Sequence, residues 1–217
     1  MSRENKRIRD LRRAASVHFG TPASGASTLA PPGRRLDRHG AIAEKGSRER
    51  AMTRSLGPSL PPPLVERLAQ RDPEARLGMA LPFVTVDGHG RPHPMLLSYL
   101  ELRAYDTRTV GLVIGARSRS AQNLAERRAG TLLVIEPDAT FYVKLRAVDG
   151  PLPVDGGGEY GLGYFLLEVA EVLEDSPADW EGGMRITGAL RYAPAPALDA
   201  PWARATLAAL ARPRARA

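Results

Sequence analysis

The chain has no cysteine among its 217 residues. That excludes disulfides, thiolate metal centres and cysteine nucleophiles, and it fits a reducing, cytoplasmic setting. Also missing is any run of about 18 apolar residues, the length that a membrane-spanning helix requires. The basic start is followed by no apolar stretch of roughly 7 to 15 residues, which argues against a secretory signal.

An excess of charge is missing from most of the chain too. The formal net charge is +7, but residues 1–50 hold 12 Lys and Arg against 5 Asp and Glu, and residues 51–217 hold 19 of each. The basicity belongs to residues 1–51, a stretch rich in Arg, Gly, Ser and Pro that cannot bury enough apolar surface to offset its ordering entropy. It is expected to be a disordered extension, either a passive tail or no part of the functional protein, which would then start at Met52, where the neutral domain of residues 52–217 begins. Its Arg- and Ser-rich composition is compatible with an organelle transit peptide, and a basic arm of this kind can touch nucleic acid or an acidic surface. The neutral remainder counts against nucleic acid as the partner.

What is present from residue 61 onward is orderly. "PPPLVERLAQRDP" carries Leu64, Val65 and Leu68 at helical spacing behind prolines that suit a first turn. Two β-rich runs, 83–86 and 95–102, flank the turn-forming "DGHG" and predict a hairpin. "TRTVGLVIG" (107–115) is a third strand, apolar enough to be buried on both faces. A helix over 120–130 follows, with Gly130 as its terminating glycine. "TLLVIEP" and "TFYVKLRAVDG" are the fourth and fifth strands, with the turn "PDA" between them, and 163–175 is the sixth. Near the end, Trp202, Leu207 and Leu210 mark one face of a last helix. Six strands with few helices predict a mainly β fold, an antiparallel barrel with flanking helices, since a parallel doubly wound sheet needs a helix after nearly every strand.

One cluster asks for an explanation. Arg117-Ser118-Arg119-Ser120 stands between the third strand and its helix, and serine at either position is a good N-cap. Two arginines at a helix N-terminus conflict with the macrodipole unless an anion sits between them. A phosphate resolves the conflict, because guanidinium, hydroxyl and backbone N–H donors converge on it. The competing reading has both arginines in solvent or paired with Glu126 and acidic loops.

The succession "FVTVDGHGRPHPMLLSYL", "TVGLVIGARSRSAQNL", "AGTLLVIEPDATFYVKLRAV" resembles the FMN-binding split barrel of the pyridoxamine 5′-phosphate oxidase family, over residues 64–175. The resemblance implies a six-stranded antiparallel split β-barrel, a homodimer with FMN at the subunit interface, and an oxidoreductase acting on a small-molecule substrate. It implies that Ser118 and Arg119 hold the FMN phosphate, with Asn123 and Leu124 in the helix that follows. Ser120 falls where many members carry Lys, and Arg117 is the available substitute. Met95 and Leu100 stand where the oxidase proper has Arg and Lys along the flavin. Ser98 is then the side chain of that strand able to hydrogen-bond a cofactor, and Tyr142 takes the place of a Gln near the flavin. The segment after Leu198 lacks the Arg-rich substrate motif of the oxidase, so pyridoxamine 5′-phosphate is not the expected substrate. The alternatives are a non-catalytic module of the same fold holding FMN, a deazaflavin or haem.

The remaining signals have plainer readings. His89 and His93 flank the hairpin turn with no third ligand in view, so turn chemistry is expected rather than a metal site. Tyr142 and Lys144 share one face of the fifth strand, more simply as an ordinary surface face than as a substrate contact. Met79, Met95 and Met184 are expected in the core. "VDGGGEYGLG" (154–163) precedes a strand and fails the context of a phosphate loop. Residues 182–194 are compatible with a last strand or a lid. No catalytic acid or base is named by the sequence, in keeping with flavin chemistry, in which the cofactor carries the reaction.

Overall fold

Asp87 shows how the first hairpin is made. Its Oδ1 accepts from the N–H groups of His89 and Arg91, its own N–H donates to the Arg91 carbonyl, and Gly90 takes the positive φ that closes the turn. These bonds, with Arg91 first, hold the carboxyl below its ordinary pKa. The "DGHG" stretch is therefore plain turn chemistry, as its residues suggest.

The computed structural model describes residues 53–137, 139–158, 161–176 and 185–215. The extension over 1–51, Met184, and parts of the segments 154–163 and 182–194 lie outside the described residues. The strands are β1 Thr53–Gly57, β2 Ala80–Val86, β3 Pro92–Ser98, β4 Leu102–Ala104, β5 Thr109–Gly115, β6 Ala129–Ile135, β7 Thr140–Val154 and β8 Leu162–Asp175. The helices are α1 Pro62–Leu68, α2 Arg119–Arg127 and α3 Pro201–Ala209. None of the described helices is long and apolar enough to cross a membrane.

All strand pairs are antiparallel, in the order β3-β2-β6-β7-β8-β5-β4, with β1 pairing the far end of β8. The two ends of that order, β3 and β4, are separated in the chain only by the 3-10 turn Tyr99–Glu101. A sheet whose two edges are joined by three residues has to curl back on itself, which makes it a split barrel. Gln70 closes the seam by donating from Nε2 to the carbonyls of Tyr99 and Leu100 at 3.2 and 2.9 Å. Tyr99 is buried there and donates its hydroxyl to the Arg67 carbonyl at the end of α1.

The interior is filled by alternate residues of the curled sheet, among them Phe83, Leu97, Leu112, Leu132, Val143 and Phe165. β5 is buried on both sides, as its composition predicts. Its neighbour on the outer face is α3, which covers Val113 and Tyr164 with Ala209 and Leu210. Arg103 of β4 holds that helix from below, donating through Nη1 to the carbonyls of Leu210 and Ala211 at 3.3 Å, where a cation suits the helix C-terminus. Arg103→Ala is expected to cost about 1–2 kcal/mol and to raise hydrogen exchange in α3 more than in the barrel. Equal loss of protection throughout would contradict a local tether.

Three sequence expectations change. Among the described residues the strands number eight rather than six: β1 is short and mostly exposed, and β4 reads as the continuation of β3 until the 3-10 turn breaks it. α2 does not end at Gly130. Arg128 takes the left-handed C-cap conformation with φ 55°, and its N–H bonds the Leu124 carbonyl. The buried face of α3 is Ala203, Thr206 and Ala209, continued by Leu210 as expected, whereas Trp202 and Leu207 are only half-buried beside it. In β8 the inward set Phe165, Leu167 and Val169 jumps to Val172, because a bulge opposite Lys144 and Leu145 shifts the phase by one residue.

Candidate functional site

β5 leaves the barrel at Gly115, and a tight turn delivers Ser118 as the N-cap of α2. The Ser118 N–H donates to the Gly115 carbonyl at 2.9 Å, and its backbone is extended at φ −69° and ψ 153°. Its Oγ accepts from the Ala121 N–H at 3.1 Å, which decides between the two candidate caps. The N–H groups of Arg119 and Ser120 belong to the first turn and have no intrahelical acceptor.

The cations around α2 divide into two groups. Arg127 donates to the Gly88 carbonyl at 2.6 Å, and Arg128 donates to the carbonyls of Ala147 and Val148. Arg117 and Arg119, at the opposite end, are exposed and make no hydrogen bond or ion pair with any described residue. The pairing with Glu126 weighed from sequence is not formed. Thus, of the arginines around α2, the two without a partner among the described residues are the two that the helix dipole disfavours.

The neighbouring predicted residues take other positions. Ser120 is 2% exposed and faces the interior, away from the arginines. Asn123 is equally buried, and its Nδ2 donates to Thr85 Oγ1 at 2.9 Å, with Thr85 in turn donating to the His93 carbonyl at 3.3 Å. That chain of bonds pins α2 to the hairpin and fixes the direction in which its N-terminus points.

Tyr142 does not join this cluster within one chain. It pairs in register with Leu173 near the C-terminal end of β8, whereas Gly115, just before Ser118, pairs with Leu162 at the other end. Its hydroxyl donates to Asp175 Oδ2 at 3.0 Å, and partial burial together with that carboxylate raises its pKa. Lys144 beside it is bonded to Glu171 at 2.7 Å, in a solvent-facing polar ladder with Arg146 and Glu168. Such exposed pairs contribute little stability.

Ser98 closes β3 and opens a second constellation that sequence reading passed over. Its Oγ accepts from the Leu100 N–H at 3.3 Å, and its N–H donates to Glu101 Oε2 at 2.6 Å, a reciprocal capping box. Ser98 and Glu101 line a cleft of about 510 Å³ with Tyr192, Pro194, Pro196 and Trp202. Burial pushes the Glu101 carboxyl up to about 7, against the lowering effect of the Ser98 N–H. The signal was legible as "SYLE", the S-x-x-E pattern of a cap. The burial was not, since Tyr192 and Trp202 lie some ninety residues or more further along the chain. Tyr192 N–H bonds the Gly78 carbonyl and its hydroxyl donates to the Leu96 carbonyl, which lays that segment against β2 and β3. In the described part of 182–194, strand pairing is limited to one isolated bridge, Arg191 with Met79.

A phosphate-bearing cofactor fits the α2 end of this arrangement. Two unpaired guanidinium groups, a serine cap and two free helix amides form a donor set suited to a dianion. FMN carries such a group.

No family model matches the chain, and no curated protein matches it. Among solved structures it is similar to an F420 reductase at 14% identity, over 45% of this chain and 90% of that one, with a TM-score of 0.36. It is also similar to an FMN-binding protein from Syntrophomonas wolfei subsp. wolfei at 13% identity, over 54% and 89% of the two chains, with a TM-score of 0.39. A third is a pyridoxamine 5′-phosphate oxidase-related FMN-binding protein from Nostoc punctiforme, at 15% identity over 49% and 77%, with a TM-score of 0.33.

Proposed function

We propose that this chain is an FMN-binding flavoprotein that works as a homodimer and as an oxidoreductase on a small molecule. The observation that carries the reading is the pair Arg117 and Arg119, unpartnered among the described residues, at the serine-capped N-terminus of α2. In this reading Arg119, Arg117 and the N–H groups of the first helical turn hold the phosphate, with the Ser118 hydroxyl free to donate its proton. Asn123 acts indirectly, through Thr85, by fixing where α2 points. Bound FMN supplies hydride chemistry, and the protein supplies position and electrostatics. Ser98 keeps its hydroxyl proton available for a ligand even while its oxygen caps Leu100.

The test is reconstitution. Full-length protein is incubated with FMN and desalted, beside the Arg119→Ala variant, and both visible spectra are recorded. The wild type is expected to retain the flavin spectrum and the variant to lose it, since each charge-assisted bond is worth roughly 1.5–3 kcal/mol, or about one to two orders of magnitude in affinity. Circular dichroism should show both folded alike, because the Arg119 side chain is exposed and belongs to neither cluster of the hydrophobic core. A variant as yellow as the wild type would contradict the phosphate assignment. Reduction of the bound flavin by NADH or NADPH separates the oxidoreductase from a module that only holds it.

A further inference from the structure

Among the described residues, Glu101 stands apart from the other half-buried glutamates. Glu66, Glu136, Glu168, Glu171 and Glu174 each have an arginine or lysine partner. Glu101 has no cationic partner among the described residues, although a partly buried carboxylate is the kind of group that most needs one. Its Oε2 takes the Ser98 N–H, and its Oε1 has no protein partner among the described residues. The cap itself does not explain the acid, since a glutamine completes the same box.

The walls beside it are apolar and aromatic. Trp202, Tyr192, Pro194 and Pro196 line the cleft with Glu101, and the Tyr192 hydroxyl is already committed to the Leu96 carbonyl. The volume, about 510 Å³, lies in the range of small-molecule sites. A carboxylate without a counter-ion at the base of an aromatic cleft is complementary to a cation with an apolar body, which gains a charge-assisted bond and contact with the ring faces.

We propose that this cleft binds a small organic ammonium ion, an arylalkylamine or a similar amine, whose N–H donates to Glu101 Oε1 while its apolar part lies between Tyr192 and Trp202. The desolvated carboxyl, raised to about 7, has no internal cation to offset it, so a ligand cation takes the place of its proton. The site shares Ser98 with the flavin reading but does not rest on it, because Arg117 and Arg119 take no part in the cleft.

Calorimetric titration of the full chain at about pH 8, where the Glu101 carboxyl is mostly ionised, tests this. The probes are phenethylammonium chloride, neutral 2-phenylethanol and anionic 3-phenylpropionate. The ammonium probe is expected to bind about tenfold or more tighter than the other two. Glu101→Gln, which keeps the cap, should bring it down to the level of the alcohol, and Trp202→Ala should weaken the ammonium and the alcohol together. Arg119→Ala should leave amine binding unchanged, so that failure of the flavin reading and failure of this one are told apart. No binding of the ammonium probe at millimolar concentration, equal binding of all three probes, or undiminished binding to Glu101→Gln would each overturn the proposal.

Discussion

Gly130→Ala is expected to destabilise the barrel by about 1–3 kcal/mol or more, the cost of overpacking a full core. Gly130 is buried on β6, opposite Thr85 of β2 and Leu145 of β7. A Cβ there would lie 2.9 Å from Phe83 Cε2 and closer still to Cζ, on a ring that is itself 0% exposed. The ring is enclosed by the interior and has nowhere to turn. Relief should therefore come from the ring side: Phe83→Leu, destabilising alone, should be less so when combined with Gly130→Ala. Chemical denaturation of the four proteins of that cycle gives the coupling, expected to be about 0.5–3 kcal/mol in favour of the pair. Additive single effects would mean that the ring does not fill the space over Gly130.

Glu101→Gln is expected to act in the opposite direction, and only at high pH. The carboxyl rises from an ordinary 4.5 to about 7 through burial, so the folded state holds its proton over a range in which the unfolded chain has lost it. Below about pH 4.5 both states are protonated and the glutamate carries no penalty. As pH rises toward 7 the penalty of burying a charge grows, and above 7 it is complete, on the order of 3 kcal/mol as an upper value. The glutamine variant keeps an acceptor for the Ser98 N–H and has no charge to desolvate. Thermal unfolding of both proteins from about pH 4 to pH 8.5 should show curves that coincide at the acid end and separate in favour of glutamine as pH rises. A difference that does not vary with pH would contradict the burial of this carboxyl.

Much of the barrel was legible because its signals are local. The "DGHG" turn needs only Asp87 and the glycines, and β5 announces its double burial by its own unbroken apolar run. Features governed by distant partners were not. Gly130 reads as a helix terminator until Phe83 is seen lying over it and Arg128 is seen taking the cap. β1 has little alternation to show, since it exists through pairing with the end of β8.

The candidate site divides in the same way. The RSRS cluster was visible as a conflict between charge and dipole, and the structure adds which serine caps the helix and which arginines remain unpaired. Ser120 and Asn123 looked like neighbours of the phosphate, but helix geometry turns both inward. The Glu101 cleft was hidden, because its walls arrive from residues 192–202, which carry no motif of their own.

The most direct test of the phosphate reading compares FMN with riboflavin, which shares the ring and ribityl chain and lacks the phosphate. Dissociation constants for both are measured by flavin fluorescence quenching, with wild type and with the Arg117→Ala, Arg119→Ala double variant. If the N-terminus of α2 holds the phosphate, the wild type prefers FMN by about a hundredfold or more, and the double variant binds the two nearly alike. Equal affinity of the wild type for both, or a preference for FMN that survives the loss of both arginines, would contradict it.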